Sequence, residues 1–310
     1  MKQLKENRRI RGNKIQIFFL YFINISIGLL LTLSTLFAQE EFPELTPKKH
    51  LRILSSNIQH LGARKQLRTS KQIDSIADRI ATFDAAVLAL QEIDFSHPLV
   101  QIRDRLGDSW EAFQVKQNDP PYKNNMNALL YDKSKVELLK LEKWDTLIMD
   151  PENVYPGRDN ARPVSGVFRS KDRPLFTFRV VGIHFHWADT VMRNAEGKWV
   201  GDRIKELLNI PHETQNIILL GDFNEDKGWT HKYLNNFMYL LPKENGDVTV
   251  VNGENKLDWI YITSELRKRV SKESSFVIRP YHYKETDSVF KKNYSDHFPV
   301  FIDIKIDNKF

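Results

Sequence analysis

The chain of 310 residues contains no cysteine, which excludes disulfides and zinc sites made of thiolates. Its formal net charge is +6, but six of its 46 basic residues and only one acid precede residue 39. Residues 39–310 therefore carry 40 basic and 39 acidic groups, a net of +1. The basic character belongs to the N-terminal segment and is no evidence for a nucleic-acid-binding surface.

The first 38 residues have the pattern of an export sequence. Six basic residues between Lys2 and Lys14 precede an uncharged run from Ile15 to Ala38. We predict a secretory signal over residues 1–38 that is cleaved near Ala38, which makes the protein secreted or places it in the periplasm or cell envelope. Because the run exceeds the usual ~7–15 residues, a membrane anchor formed by residues 15–38 is the alternative. Residues 39–50 are then an exposed lead-in, and residues 51–310 suffice for one domain.

Beyond the lead-in, apolar runs alternate with helical spacings. Leu51–Ser56 and Phe83–Leu90 are predicted strands, separated by a predicted helix at Ser70–Thr82. Further strands are predicted at Asn127–Asp132, Lys135–Leu141, Val164–Phe168, Phe176–His184, Ile217–Leu220, Leu257–Ile262, Phe276–Arg279 and Pro299–Ile306. Helices are predicted at Asp202–Leu208 and His231–Phe237. Many strands with few helices indicate a mixed sheet, or paired sheets, with helices outside.

The stretch NIILLGDFNE, residues 216–225, is the most informative part of the chain. Four apolar residues lead into Gly221, and Asp222 and Asn224 follow. A carboxylate and an amide two residues apart on an extended backbone point the same way. Open α/β sheets keep their ligand sites at strand ends. This strand end is therefore predicted to be the edge of an active site.

Polar groups also lie at or within other predicted strands: Asn57, Glu92 and His184 at strand ends, Asp258 inside an apolar strand, and Asp296 and His297 just before the last strand. Oxygen ligands without thiolates suit Mg²⁺ or Mn²⁺ better than zinc. Asp258 lies between apolar residues and needs a partner, so it can orient a histidine that serves as a base or phosphate ligand. The set suits hydrolysis of a phosphate ester by in-line attack of water. His184 and His186 share a strand face and allow a zinc pair, but no HExxH motif supports it.

The ordered series SSNIQ, LQEID, GIHF, GDFN, LDWI and SDHFP resembles the endonuclease/exonuclease/phosphatase superfamily, which has the fold of deoxyribonuclease I. The resemblance runs from about Leu51 to Ile306. It implies a four-layered α/β sandwich, with two packed mixed β-sheets flanked by helices, and a divalent metal. Residues 51–310 would then be the catalytic domain.

The resemblance also implies roles for individual residues. Glu92 resembles the main metal ligand, with Asn57 beside it and Asp296 as a more distant carboxylate that acts through water. His297 resembles the catalytic histidine, oriented by Asp258. Asp222 resembles the residue that positions or deprotonates the attacking water. Asn224 and His184 resemble the side chains that bind the phosphate. A looser match of sequence context adds Tyr122 and Arg162 as substrate-binding residues.

The expected function is that of an exported nuclease that hydrolyses phosphodiester bonds with Mg²⁺, or with Mn²⁺. A phosphatase or phospholipase, acting like a sphingomyelinase or on inositol phosphates, is the alternative. A non-catalytic binding module tethered to a membrane, or a membrane-spanning signalling protein, belongs to a different class. Gln59, where apurinic endonucleases carry an acid, and His184 argue against DNA repair. The substrate is a phosphate ester, with DNA or RNA included, and no protein partner is implied.

Overall fold

Apolar strands that are buried along nearly their whole length build the centre of this protein. The computed structural model describes residues 50–62, 68–114, 126–157, 161–226, 230–241, 246, 248–251, 253–270 and 274–306. The strands in these ranges are β1 His50–Leu61, β2 Val87–Ile93, β3 Trp110–Gln114, β4 Met126–Asp132, β5 Val136–Lys143, β6 Val164–Ser170, β7 Thr177–His184, β8 Ile217–Asp222, β9 Met238–Leu240, β10 Asp258–Thr263, β11 Ser275–Val277 and β12 Val300–Lys305. The helices are α1 Ser70–Thr82, α2 Ser96–Leu106, α3 Thr190–Asn209, α4 His231–Leu234, α5 Ser264–Arg267 and α6 Asp287–Asn293, with a 3₁₀ turn at Pro280–Tyr283.

The strands form two six-stranded sheets. One has the order β11-β12-β1-β2-β4-β3 and the other β5-β6-β7-β8-β10-β9. In each sheet one central pair, β1–β2 or β7–β8, is parallel, and the neighbouring pairs are antiparallel. Both sheets are therefore mixed, as predicted.

Small residues let the two sheets approach closely where their centres face each other. A Cβ atom built on Gly182 of β7 would lie 3.0 Å from the Cβ of Ala89 in β2. One built on Gly166 of β6 would lie 3.3 Å from Leu129 of β4. Larger side chains at these positions would push the sheets apart, because a packed interior has no spare volume.

Helices cover the outer faces of the sheets. On the second sheet, Trp199, Val200, Ile204 and Leu207 of α3 join strand side chains in one buried cluster. The predicted helix Ser70–Thr82 is confirmed with the same bounds; it starts at a capping box in which the Thr69 hydroxyl and the Gln72 side chain satisfy each other's backbone N–H groups. Its buried side consists of Ile73, Ile76, Ala77 and Ile80. The predicted four-layered α/β sandwich is confirmed.

Several predicted element bounds were wrong. β1 continues to Leu61 rather than ending at Ser56, and β2 begins at Val87 because Asp84 turns the chain with a φ of 52°. α3 is 20 residues long, whereas only Asp202–Leu208 was predicted. α4 ends at Leu234, short of Phe237, and α2 and β3 were not predicted. Within the described residues, no helix is both long enough and apolar enough to cross a membrane. The predicted signal or anchor lies outside them.

At the end of β8, Gly221 occupies a position that only glycine can fill. Its φ is 149°, and a Cβ atom there would lie 2.0 Å from the carbonyl oxygen of Ile183. The clash is with backbone, so no side-chain rotation relieves it. Gly221 thus lets β8 lie against β7 one residue before Asp222.

We expect Gly221→Ala to lower the free energy of unfolding by about 3 kcal/mol, because backbone strain and a steric clash add together. Gly107→Ala is the matched control: its φ is 104°, but nothing lies within 4 Å of the added Cβ. It should therefore cost less than Gly221→Ala, because it has backbone strain without the clash. Urea unfolding of both variants measures the difference, and equal losses would contradict the clash.

Candidate active site

Three neighbouring strands of the second sheet bring three ionisable side chains to one edge. His184 ends β7 and pairs in register with Asp222, which ends β8. Asp222 in turn is the register partner of Asp258, the first residue of β10. Side chains at matched register positions project to the same face of a sheet. The sheet itself thus places an imidazole and two carboxylates side by side.

The first sheet contributes Asn57 and Glu92, and Asn57 joins the two sheets. Its amide nitrogen donates to Glu92 Oε1 and to Asp222 Oδ2, both at 3.0 Å. Its amide oxygen accepts from the backbone N–H of Gln59 at 2.9 Å. In this orientation Asn57 holds the two carboxylates together and turns its oxygen away from them.

Bulges in β1 and β2 aim backbone groups at Glu92. The pairing register shifts after Asn57 in β1 and after Leu90 in β2. Gln59, His60 and Glu92 adopt φ angles of 44°, 52° and 60°, in the left-handed region that non-glycine residues rarely occupy. As a result the backbone N–H of His60 donates to Glu92 Oε2 at 3.0 Å. Strain of this kind typically collects at functional sites.

The pKa values of the two central carboxylates are shifted in opposite directions. Burial alone would raise the pKa of Glu92, but the charge of His184 and the Asn57 amide outweigh it, so the pKa lies below its usual value. Burial raises the pKa of Asp222, and the charge of Asp258 adds to this effect despite the opposing His297 and His184. Glu92 is therefore a stable anion, whereas Asp222 has a greater affinity for a proton.

His297 and Asp258 form a buried pair. The Nδ1 atom of His297 lies 2.8 Å from Asp258 Oδ2, and its Nε2 lies 3.8 Å from Asp222 Oδ2. Burial by itself would lower the pKa of His297, but the charges of Asp258 and Asp222 raise it to about 10. His297 is consequently cationic at neutral pH.

Thr249 fixes Asp258 and His297 relative to each other, a role that no sequence pattern indicates. Its hydroxyl accepts from the backbone N–H of Asp258 at 3.1 Å, and its carbonyl accepts from the N–H of Phe298 at 2.7 Å. A lone threonine between predicted elements carries no pattern that distinguishes it.

His184 faces both carboxylates. Its Nε2 atom lies 3.6 Å from Asp222 Oδ2 and 3.8 Å from Glu92 Oε1. Among the described residues, none is a hydrogen-bond partner of its buried Nδ1 atom. Buried polar atoms without a protein partner are rare and call for an explanation, such as a ligand or an ordered water.

Asn224 stands beside Asp222 in a left-handed turn with a φ of 51°. Its backbone N–H donates to Asp222 Oδ1 at 2.8 Å, and its side-chain nitrogen donates to the Phe185 carbonyl at 2.9 Å. An amide nitrogen carries two hydrogens, so one remains for a ligand.

Asp296 lies at the rim of the cluster. Its Oδ2 accepts from Gln59 Nε2 at 2.9 Å, and its charge contributes to the raised pKa of His297. Arg68 ties this segment to the β1 bulge, since its guanidinium donates to the carbonyls of Ile58 and Tyr294 at 2.9 and 2.7 Å.

The two predicted substrate-binding residues outside this cluster stay predictions. Arg162 forms an ion pair with Asp145, and its carbonyl accepts from the Asn127 amide at 3.0 Å. Tyr122 lies outside the described residues.

His60 and Asp94 belong to the site although sequence reasoning passed over them. The two imidazole nitrogens of His60 lie 3.6 Å from Glu92 Oε2 and 3.4 Å from Asp94 Oδ2. A hydrogen bond to Asp94 raises the pKa of His60 above its usual value. The only signal was position, since His60 follows the SSNIQ motif directly and Asp94 closes LQEID.

The side chains present fit a divalent cation. Ligand atoms of Glu92, His184 and Asp222 lie within 4.8 Å of one another, and those of Asp222, Asp258 and His297 form a second such group. In the second group the Asp258–His297 contact already occupies the imidazole. In the first, the Glu92 and Asp222 carboxylates share one amide donor, so a cation held by Glu92 would relieve their repulsion. Its oxygen-rich surroundings match the preference of Mg²⁺ or Mn²⁺, while the geometry names no particular ion.

The fold and this cluster together define a hydrolase of phosphate-ester bonds. The sequence model of the Endonuclease/Exonuclease/phosphatase family matches residues 54–297, and the chain belongs to that family. The sequence matches no curated protein.

Solved structures of the same fold match this chain over most of its length and over nearly all of their own. An endonuclease/exonuclease/phosphatase family protein from Bacteroides thetaiotaomicron is 20% identical with a TM-score of 0.63, covering 84% of this chain and 96% of its own. A mannosyl-6-phosphatase from the same organism is 19% identical with a TM-score of 0.59, covering 83% and 100%. TDP2 from D. rerio, in complex with a single-strand DNA product, is 14% identical with a TM-score of 0.60, covering 82% and 98%. At these identities the likeness concerns the fold.

Proposed function

We propose that this protein is a divalent-metal-dependent nuclease that hydrolyses phosphodiester bonds by attack of water. The observation that carries the proposal is the convergence on Asp222: Asn57 Nδ2 lies 3.0 Å, His184 Nε2 3.6 Å and His297 Nε2 3.8 Å from the same carboxylate oxygen. A carboxylate whose pKa is raised by burial, surrounded by groups able to bind an anion, suits a general base.

Each group then has a defined task. Asp222 positions the attacking water and accepts its proton. His297, cationic because of Asp258, stabilises the negative charge that develops on the phosphoryl oxygens, and His184 and Asn224 bind those oxygens. The site residues that would hold the cation are Glu92 and, through water, Asp296, with Asn57 fixing Glu92. When bound, the cation offsets phosphate charge.

Two considerations support a nucleic-acid substrate. The motif context resembles deoxyribonuclease-like members of the family, and a structure of the same fold holds a single-strand DNA product. A phosphatase acting on a non-nucleic substrate is the second candidate. The net charge of only +1 over residues 39–310 and the likeness to a mannosyl-6-phosphatase favour it.

A substrate screen with metal removal tests the proposal. With Mg²⁺ or Mn²⁺ present, we expect the purified protein to degrade plasmid DNA or RNA, and excess EDTA to abolish this activity until the cation is restored. Nucleic-acid cleavage should fall steeply as salt rises, because phosphate contacts are screened. Hydrolysis of sugar phosphates or sphingomyelin in place of DNA and RNA would favour the phosphatase or phospholipase candidate, and chelator-resistant turnover would contradict the metal.

Export is part of the proposal. The basic segment and the apolar run before Gln39 support a signal that is removed on secretion. We expect N-terminal sequencing of the protein recovered outside the cytoplasm to begin at about Gln39. A mature protein that retains residues 15–38 and sediments with membranes would instead establish the tether.

A further inference from the structure

Trp187 is the most exposed of the tryptophans in the described part of the chain. It is 67% exposed, whereas Trp144, Trp199 and Trp259 are buried. A large aromatic side chain in water forgoes the free energy that burial would provide, and tryptophan is enriched at surfaces that bind a partner. None of the roles assigned above to the active site uses it.

Trp187 stands at the rim of the phosphate-binding groups. It lies three residues beyond His184, on the segment that leaves β7. Phe185, two residues before Trp187, donates its N–H to the Asp222 carbonyl at 2.9 Å and accepts from the Asn224 amide at 2.9 Å. Since adjacent Cα atoms are about 3.8 Å apart, the backbone of Trp187 lies within about 8 Å of that contact.

The segment that presents Trp187 is held rigidly. Arg193 donates to the carbonyls of His186 and Trp187 at 2.9 and 2.8 Å. The His186 N–H donates to the buried Glu196 carboxylate at 2.8 Å. The His186 ring accepts from Ala188 and Asp189, with Asp189 also capping α3. An aromatic ring on a fixed backbone loses little entropy when it binds a partner.

We propose that Trp187 is a base-stacking residue, which binds a nucleobase next to the phosphate that is cleaved. This inference rests on the proposed nuclease activity and adds a subsite to it. A planar indole can stack on any base because every base has a π-face, and such stacking is sequence-tolerant.

Two oligonucleotides that differ only in their bases test the inference with the full-length protein. One is octathymidylate; the other has the same phosphodiester backbone with abasic tetrahydrofuran units, and both carry the same 5′ fluorophore. We expect the unmodified protein to cleave the thymidylate with a kcat/KM higher by about tenfold or more. Trp187→Ala should abolish this preference, mainly through KM, and leave cleavage of the abasic strand unchanged. Trp187→Phe should keep part of the preference.

Tyr239→Ala is the control for loss of an exposed aromatic ring. Tyr239 is also exposed and lies on edge strand β9, opposite Ile262, far along β10 from Asp258. Tyr239→Ala should leave kcat/KM for both oligonucleotides unchanged. Equal cleavage of both strands by the unmodified protein, or an equal loss on both in Trp187→Ala, would overturn the stacking role while leaving the nuclease intact. If neither strand is cleaved but a small phosphate ester is hydrolysed, the nuclease proposal fails and the subsite with it.

Discussion

Asp222→Asn is expected to lower kcat by roughly 10²–10⁴, the range that a general base typically contributes. Asparagine has nearly the same shape, so the packing at the end of β8 is kept, but it cannot accept the proton of the attacking water. Far-UV circular dichroism should show a retained fold. The measurement is the initial rate on the substrate found in the screen, at saturating substrate and metal.

The matched control for Asp222→Asn is Asp78→Asn. Asp78 is an exposed carboxylate on α1 that pairs with Arg105, and it has no role in the proposed chemistry. It should retain full activity. Undiminished turnover by Asp222→Asn, in an assay that EDTA still inhibits, would remove Asp222 from the mechanism and leave the metal assignment standing.

Much of the site could be predicted because it follows strand ends. His184 and Asp222 end apolar runs and Asp258 begins one, and all three occupy matched register positions at the same edge of the sheet. The structure also brings Glu92 and His297 to the same place, through Asn57 and Asp258 respectively. Their catalytic roles stay predictions, since contact shows only that they can act together.

The β1 and β2 bulges could not be predicted from residue types. Left-handed backbone is usually signalled by glycine or asparagine, but here Gln59, His60 and Glu92 adopt it. Only the tertiary contacts of the bulge reveal why: Gln59 reaches Asp296, and the His60 N–H reaches Glu92. The contribution of His60 to the site was therefore hidden.

Most of α3 escaped prediction because its buried side mixes glycines and charged residues with the apolar ones. Gly197 and Gly201 lie there because a Cβ atom would come within 2.9 Å of Thr230 or 3.1 Å of the Tyr233 carbonyl. Glu196 and Arg203 are also buried, so the periodic apolar pattern is interrupted. α2 and β3 were not predicted because their apolar patterns are weak. α2 buries only three residues, and every residue of β3 is half-buried.

Asp258→Asn is expected to reduce activity in a way that depends on pH. Asp258 is the strongest of the groups that raise the pKa of His297 to about 10, so removing its charge moves this pKa down toward the ordinary 6.5. His297 must be cationic to stabilise the phosphoryl charge. The unmodified protein should therefore keep its activity through neutral pH and lose it as pH rises toward 10, whereas the variant should lose it above about pH 7. A bound divalent cation lowers both pKa values without reversing their order.

The comparison of kcat/KM from pH 5.5 to 10.5 separates this charge effect from simple loss of structure. At the acid end His297 is protonated in both proteins, so their kcat/KM values should become similar. The variant should stay somewhat lower there, because its His297 ring is less firmly oriented. At pH 8 to 9 the variant should fall behind by a further factor of 10 or more, as one unit of pKa shift implies. His297→Ala provides the reference. Without the imidazole, the fall in kcat/KM at high pH should disappear, and kcat/KM should be low at every pH. A variant profile parallel to that of the unmodified protein would show that Asp258 does not act through the charge of His297.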